Sequence, residues 1–266
     1  ALLEELGDLE EAEALWRKAL KSTPSRHWSR PLFLEGLARV YRRNDRLAHL
    51  VEELRKSARK DASLRGALAG LYEELGRSDE ALVWLNKAIQ ANRRDPVLHE
   101  RRIEILRRRD DLEALQEAYK GLIRAAPREA RYGLEYAEEL FRRGRTSLAL
   151  KQLDQVTASS RRDPGVWQRA ISLMIGYSKS AAGPRLRQAY MRLIKLEPRE
   201  PSHHIGLGEH LWESGDKKGA KRAWARLVSL GRGPGAGHLL LAGVLADHRV
   251  YPAASKAFDA ALAAEP

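Results

Sequence analysis

The residues that could do proton, metal or nucleophile chemistry in this 266-residue chain are eight His and 36 Asp or Glu, and there is no Cys. Without Cys, a disulfide framework, a thiol nucleophile and a thiolate zinc site are excluded. The densest histidine group is His203-His204 with His210. A metal needs ligands that converge, and neighbours on a helix point about 100° apart, so this trio makes a poor site. No Gly-rich phosphate loop, nucleophile elbow or His-Glu-x-x-His motif is present. The carboxylates are scattered over helix starts and exposed faces, where they serve solvation and the helix dipole. No catalytic constellation emerges, and neither a metal nor a cofactor is expected.

What remains is charge. The formal net charge is +12 and the sequence pI about 10.0. The excess is uneven: residues 142 to 200 hold thirteen Lys or Arg against four Asp or Glu, a net of +9. The cations are Arg142, Arg143, Arg145, Lys151, Arg161, Arg162, Arg169, Lys179, Arg185, Arg187, Arg192, Lys195 and Arg199. Such a block is an electrostatic footprint for an acidic protein, nucleic acid or anionic lipid, with a solvated Arg-rich surface as the plainer reading. Nucleic-acid binders interleave exposed aromatics for stacking. Here Trp167, Tyr177 and Tyr190 stand at or beside core positions, so an acidic protein is preferred to nucleic acid. No apolar run approaches the roughly 18 residues of a membrane helix, and no signal peptide is visible. A soluble chain, cytoplasmic or periplasmic, is expected.

The elements that must carry these side chains are helical. Ala, Leu, Arg and Glu dominate, and no period-2 alternation is sustained. Leu68, Ala69 and Tyr72 share a helical face, Gly76 breaks the helix, and a second stripe runs from Ala81 through Leu85 to Ala88. That is a helix, a turn and a helix packed back on the first. The pattern returns as Leu207, Gly208, Leu211, Gly215, Ala220, Trp224 and Leu227, and again as Leu241, Ala242, Leu245, Ala254, Phe258 and Ala261. The period is about 34 residues.

These residues and their spacing resemble the tetratricopeptide repeat family, which prefers Leu-Gly at positions 7 and 8, Tyr at 11, Ala at 20, an aromatic at 24, Ala at 27 and Pro at 32. The resemblance covers essentially the whole chain. It implies an all-α fold, a right-handed superhelical α-solenoid of antiparallel helix hairpins, forming a single domain over 1–266. The repeats fall at about 1–25 (partial), 31–61, 62–95, 96–129, 130–164, 167–200, 201–234 and 235–266. The first lacks most of its first helix, since Ala1 to Leu6 reads as that helix's last turns before Gly7. The chain also stops at a repeat boundary without a polar cap, so a segment of a longer polypeptide is expected. Small residues at positions 8 and 20, Ala69 with Ala81 and Gly208 with Ala220, imply close helix approach. His99, His204 and His238 fall at position 4 and should pack between helices.

Departures from the pattern define further expectations. Trp28 should pack across the long connection 26–30. Asp45 and Asp110 replace the turn glycine. Arg102 takes position 7, so either its stem snorkels or the register shifts onto Ile103. In repeat six, Ser178 to Pro184 replaces the short turn and should project from an edge, more simply as neutral length variation than as a binding loop. Gly231 to Gly235 should permit a hinge.

In the family the first helices line an inner groove, with positions 2, 5, 6, 9, 12 and 13 facing in. That implies a charged half, with Arg39, Arg42, Arg43, Glu100, Arg101, Glu104, Arg107, Arg108, Arg131, Glu135, Glu138 and Arg142. It implies an apolar half with Ile171, Ile175, Ile205, Trp212, Leu239 and Leu240. A one-residue register error would instead bury several of them. The Lys-Asn-Asn-Lys-Arg constellation with which some family members hold chaperone-tail carboxylates is not supplied by three consecutive repeats. The expected function is a non-enzymatic protein-interaction scaffold that binds a peptide segment or acidic partner in the groove. The alternatives are a regulatory arm of a multidomain enzyme, a periplasmic segment of an envelope export machine, or a nucleic-acid-binding superhelix.

Overall fold

A computed structural model of the chain describes residues 8–25, 27, 29–109 and 111–264. The expectations for Ala1 to Gly7, Trp28 and Asp110 lie outside these residues. Among the described residues all regular structure is helical. The chain forms two compact units, Ala1–Arg128 and Glu129–Pro266, divided between the fourth and fifth expected repeats.

In the first unit α1 is Leu9–Ser22, α2 Arg30–Arg43, α3 Leu47–Ala58, α4 Arg65–Glu74 (entered through a 3₁₀ turn at Ala62–Leu64), α5 Ser78–Ala91, α6 Pro96–Arg107 and α7 Leu112–Ala125. In the second unit α8 is Ala130–Arg142, α9 Thr146–Ser159, α10 Pro164–Ser178, α11 Gly183–Leu196, α12 Pro201–Glu213, α13 Lys217–Ala225 (prolonged by a 3₁₀ turn, Arg226–Ser229), α14 Ala236–Asp247 and α15 Tyr251–Ala264. Within each unit every helix packs on the next in sequence, as stacked hairpins require.

The helix boundaries follow from local chemistry. Asp8, Asp95, Asp111, Asp163 and Asp216 cap helix starts, each accepting a backbone N–H through its side chain. Proline follows the cap in α6, α10 and α12, where its missing N–H costs nothing. In five hairpins the turn between the two helices is left-handed: Asp45, Gly76, Gly144, Gly215 and Arg249 all have positive φ, between 51° and 91°. In four of these turns the next N–H reaches back to close a Schellman turn: Arg46 to the Tyr41 carbonyl at 2.8 Å, Arg77 to Tyr72 at 2.9 Å, Arg145 to Leu140 at 2.8 Å and Val250 to Leu245 at 2.8 Å. Asp45 thus fills the glycine's place.

The cores use the expected positions. Leu37, Tyr41, Leu68, Ala69, Tyr72, Ala81 and Leu85 are buried in the first unit, and Leu211, Ala220, Trp224 and Leu227 in the second. Gly208 lies so close to Trp224 that a Cβ there would overlap the indole. In repeat four Ile103 and Leu106 are buried while Arg102 stays half-buried, so the register holds and Arg102 occupies position 7, with burial lowering its pKa. His99 and His204 are buried and His238 half-buried.

Two expectations change. The Ser178–Pro184 segment does not project as a loop: Ala182 is fully buried, and its N–H bonds to the Ser178 carbonyl at 2.9 Å, so the extra residues pack as a tight helical turn. Gly231, Gly235 and Gly237 mark close backbone approach, while a Cβ on Gly233 would meet open space. A Cβ on Gly237 would strike the carbonyls of Val228 and Leu227, and one on Gly235 would sit 2.6 Å from the Ala261 carbonyl oxygen. At Gly231, Gly235 and Gly237 the chain needs glycine because α14 is pressed against its neighbours, so close packing stands at most of the positions where a hinge was expected.

Candidate partner-binding clefts

On the first-helix side, the arginines expected to await a partner are largely engaged by the chain's own groups. Arg42 on α2 donates to Glu74 on α4 at 2.7 and 2.8 Å and to Glu35 at 3.1 Å. Arg101 on α6 lies across Gly70, 3.7 Å from Glu73 on α4, whose carboxyl its burial pushes up in pKa, with Arg108 among the nearby charges. Arg107 donates to the Tyr119 hydroxyl at 2.5 Å, and Arg131 to the Tyr132 hydroxyl at 2.6 Å. In the second unit Arg142 and Arg169 both donate to Glu138 at 2.7 Å. Arg39 and Arg43 are exposed on α2. Arg42, Arg101 and Arg169 thus meet carboxylates on the neighbouring first helix, and part of the expected groove charge is spent inside each stack.

The apolar positions divide. Ile171 is only 6% exposed; it belongs to the core and is withdrawn as a groove residue, because its face of α10 is covered by neighbouring helices. Trp212 is half-buried and held in an aromatic stack, its ring centroid 5.5 Å from both Trp224 and His248. That stack, and the Lys217 ammonium 5.2 Å from its ring, make it a packing residue more than an anchor. Ile175 is exposed, in a narrow crevice of about 40 Å³ between α10 and α12, bridged by the Lys179–Glu213 ion pair at 2.6 Å.

Ile205 and Leu239 do come together. With Leu240 and Val244 they line a cleft of about 690 Å³ between α12 and α14, bounded by Arg199, Arg232 and Asp247. Leu239 is 45% exposed. The sequence reading missed Val244 and Arg232 and named Arg199 only within the basic block; the signal was the glycine run, which brings α14 close enough to form the cleft wall.

The second helices carry clefts too. One of about 650 Å³ between α9 and α11 is floored by Trp167, Ala170 and Met174. Its cations are engaged: Arg185 bonds to Asp154 at 2.9 Å, and Arg192 donates to the Arg161 carbonyl at 2.8 Å. Another, of about 400 Å³, lies between α11 and α13. Among the described residues no group of three His, Asp or Glu could hold a metal, and no helix is long and apolar enough to cross a membrane.

Residues 1–101 match the family model described as tetratricopeptide repeat. No curated protein matches the chain. Similar solved structures include the C-terminal part of a TPR repeat-containing protein from Cytophaga hutchinsonii, at 17% identity and TM-score 0.47 over 86% of this chain and 94% of that one. A tetratricopeptide repeat protein from Parabacteroides merdae is 16% identical, TM-score 0.41, over 91% and 94%. YrrB, described as a TPR protein with an unusual peptide-binding site, is 12% identical, TM-score 0.41, over 77% and 99%.

Proposed function

We propose that this tetratricopeptide-repeat protein, matched to its family over residues 1–101 and built of the same helix hairpins beyond them, is a non-catalytic interaction scaffold. Its principal site takes an extended peptide segment in the cleft between α12 and α14. The observation that carries this reading is an apolar wall of Ile205, Leu239, Leu240 and Val244 beside Arg199 and Arg232. Contiguous exposed apolar surface with a polar rim is the ordinary sign of a docking site. Apolar anchors of the peptide would fill the wall, and a carboxylate would pair with Arg199 or Arg232.

Selection of a displayed peptide library on the protein tests this. Selected peptides should pair apolar residues with an acidic one and bind the Leu239→Asp variant at least tenfold more weakly. Leu239 is exposed, so that variant should keep its helical circular dichroism. Equal binding to a folded Leu239→Asp protein would place the site elsewhere.

A further inference from the structure

The cleft between α11 and α13 has a different character from the first-helix clefts. Its floor is apolar: Met191 and Ile194 on α11, Leu207 and Leu211 on α12. Met191 is 46% exposed, leaving apolar surface in the cleft uncovered. Gly219 and Ala223 give α13 a low wall. The rim is basic, with Arg187 and Lys195 on one side and Arg222 and Arg226 on the other.

Several cations of the second unit are paired within the chain. Arg142, Arg143, Arg169, Lys179 and Arg185 each meet a carboxylate of the chain. Among the described residues no carboxylate forms an ion pair with Arg187, Lys195, Arg222 or Arg226. The one acidic residue lining the cleft, Asp216, is occupied as the cap of α13, accepting from the Gly219 N–H at 2.8 Å. His204 at the floor is buried, and burial lowers its pKa, so it adds no charge at neutral pH. Four like charges around one cleft repel one another and are most stable with anions between them.

We propose that the cleft between α11 and α13 is a second docking site, distinct from that between α12 and α14, and that it takes an acidic amphipathic helix of a partner protein. The stripe Arg187, Met191, Ile194, Lys195 recurs at i, i+4, i+7 and i+8, the spacing that a helix laid in a groove presents and receives. The partner's apolar face covers Met191 and Ile194, and its flanking Asp or Glu side chains meet the four cations. Nucleic acid fits less well: the floor is aliphatic, and the nearest indole on α13, Trp224, is fully buried and offers no stacking face.

The test uses a fluorescein-labelled helical peptide of about 18 residues with Leu at i, i+3, i+4 and i+7 and Glu on either flank, read by anisotropy on the whole chain. Expected results are saturable binding, at least tenfold weakening by Arg187→Glu/Arg222→Glu and by Met191→Asp, and no change with Leu239→Asp. A control peptide of equal charge with every Leu replaced by Ser should bind at least tenfold more weakly than the parent. Lys195→Glu/Arg226→Glu, on exposed rim positions, provides an independent loss should Met191→Asp unfold. The proposal is overturned if the Ser peptide binds equally, if the rim variants leave affinity unchanged, or if an oligothymidylate or vesicles of anionic phospholipid displace the peptide at lower concentration than the unlabelled peptide does.

Discussion

Arg42 on α2 grips Glu74 on α4 through two hydrogen bonds of 2.7 and 2.8 Å, tying one hairpin to the next along their first helices. The residue that a family comparison would offer to a partner is here a strut. Both side chains are about a third exposed, 34% and 39%, so solvent screens the pair. A double-mutant cycle with Arg42→Ala and Glu74→Ala should give a coupling of about 0.5–1 kcal/mol. It should shrink at 1 M salt. Zero coupling at low salt would mean that the pair does not brace the stack.

Gly208 is where the second unit tolerates no side chain, because Trp224 fills the space a Cβ would take and is itself fully buried, its indole N–H donating to the Ile205 carbonyl at 3.3 Å. Gly208→Leu should cost about 1–3 kcal/mol, read as a lowered midpoint in urea unfolding. An unchanged midpoint would contradict the register.

Arg249 occupies the left-handed turn position that glycine takes in other hairpins, at φ 58°. Its side chain is exposed. Arg249→Gly removes backbone strain of about 1–2 kcal/mol and gives back part of it as chain entropy, for a net gain of about 0.5–1 kcal/mol. Thermal unfolding should show the higher midpoint, and Gly76→Ala should move it the other way.

Glu73 has a buried Oε1 without a hydrogen-bond partner, and burial raises its pKa above the ordinary 4.5 even beside Arg101. A carboxyl whose folded pKa is raised is best tolerated when protonated. Its penalty is absent below about pH 4 and grows as pH climbs through the ordinary value to the raised one. Glu73→Gln should therefore be more stable than the parent at pH 7, with the difference vanishing toward pH 4. Equal stability at both pH values would show that the Arg101 charge fully offsets the burial.

The hairpins were legible because their determinants are local and periodic: Leu68, Ala69, Tyr72 and Ala81 read as one face, and they are buried together. Even the departures at Asp45 and Arg102 kept their register positions. The clefts were only half legible. Ile205 and Leu239 were named from position alone, but Ile171 sits at an equivalent position and is buried. Whether such a residue faces solvent depends on how closely the neighbouring helices stand, which one repeat's sequence does not encode. The same holds for charge: thirteen cations against four carboxylates over 142–200 showed an excess, but not that Arg187 and Lys195 would share one cleft rim with Arg222 and Arg226, nor that Glu138, Asp154 and Glu213 would pair with other cations.

The most direct measurement of the scaffold reading is quantitative capture of one natural partner by three forms of the protein, each shown to be folded: the parent, Ile205→Asp/Leu239→Asp, and Arg101→Glu/Arg108→Glu. The account predicts at least tenfold loss of that partner with the apolar pair and near-parental capture with the arginine pair. Full retention by Ile205→Asp/Leu239→Asp, with loss by Arg101→Glu/Arg108→Glu, would contradict it.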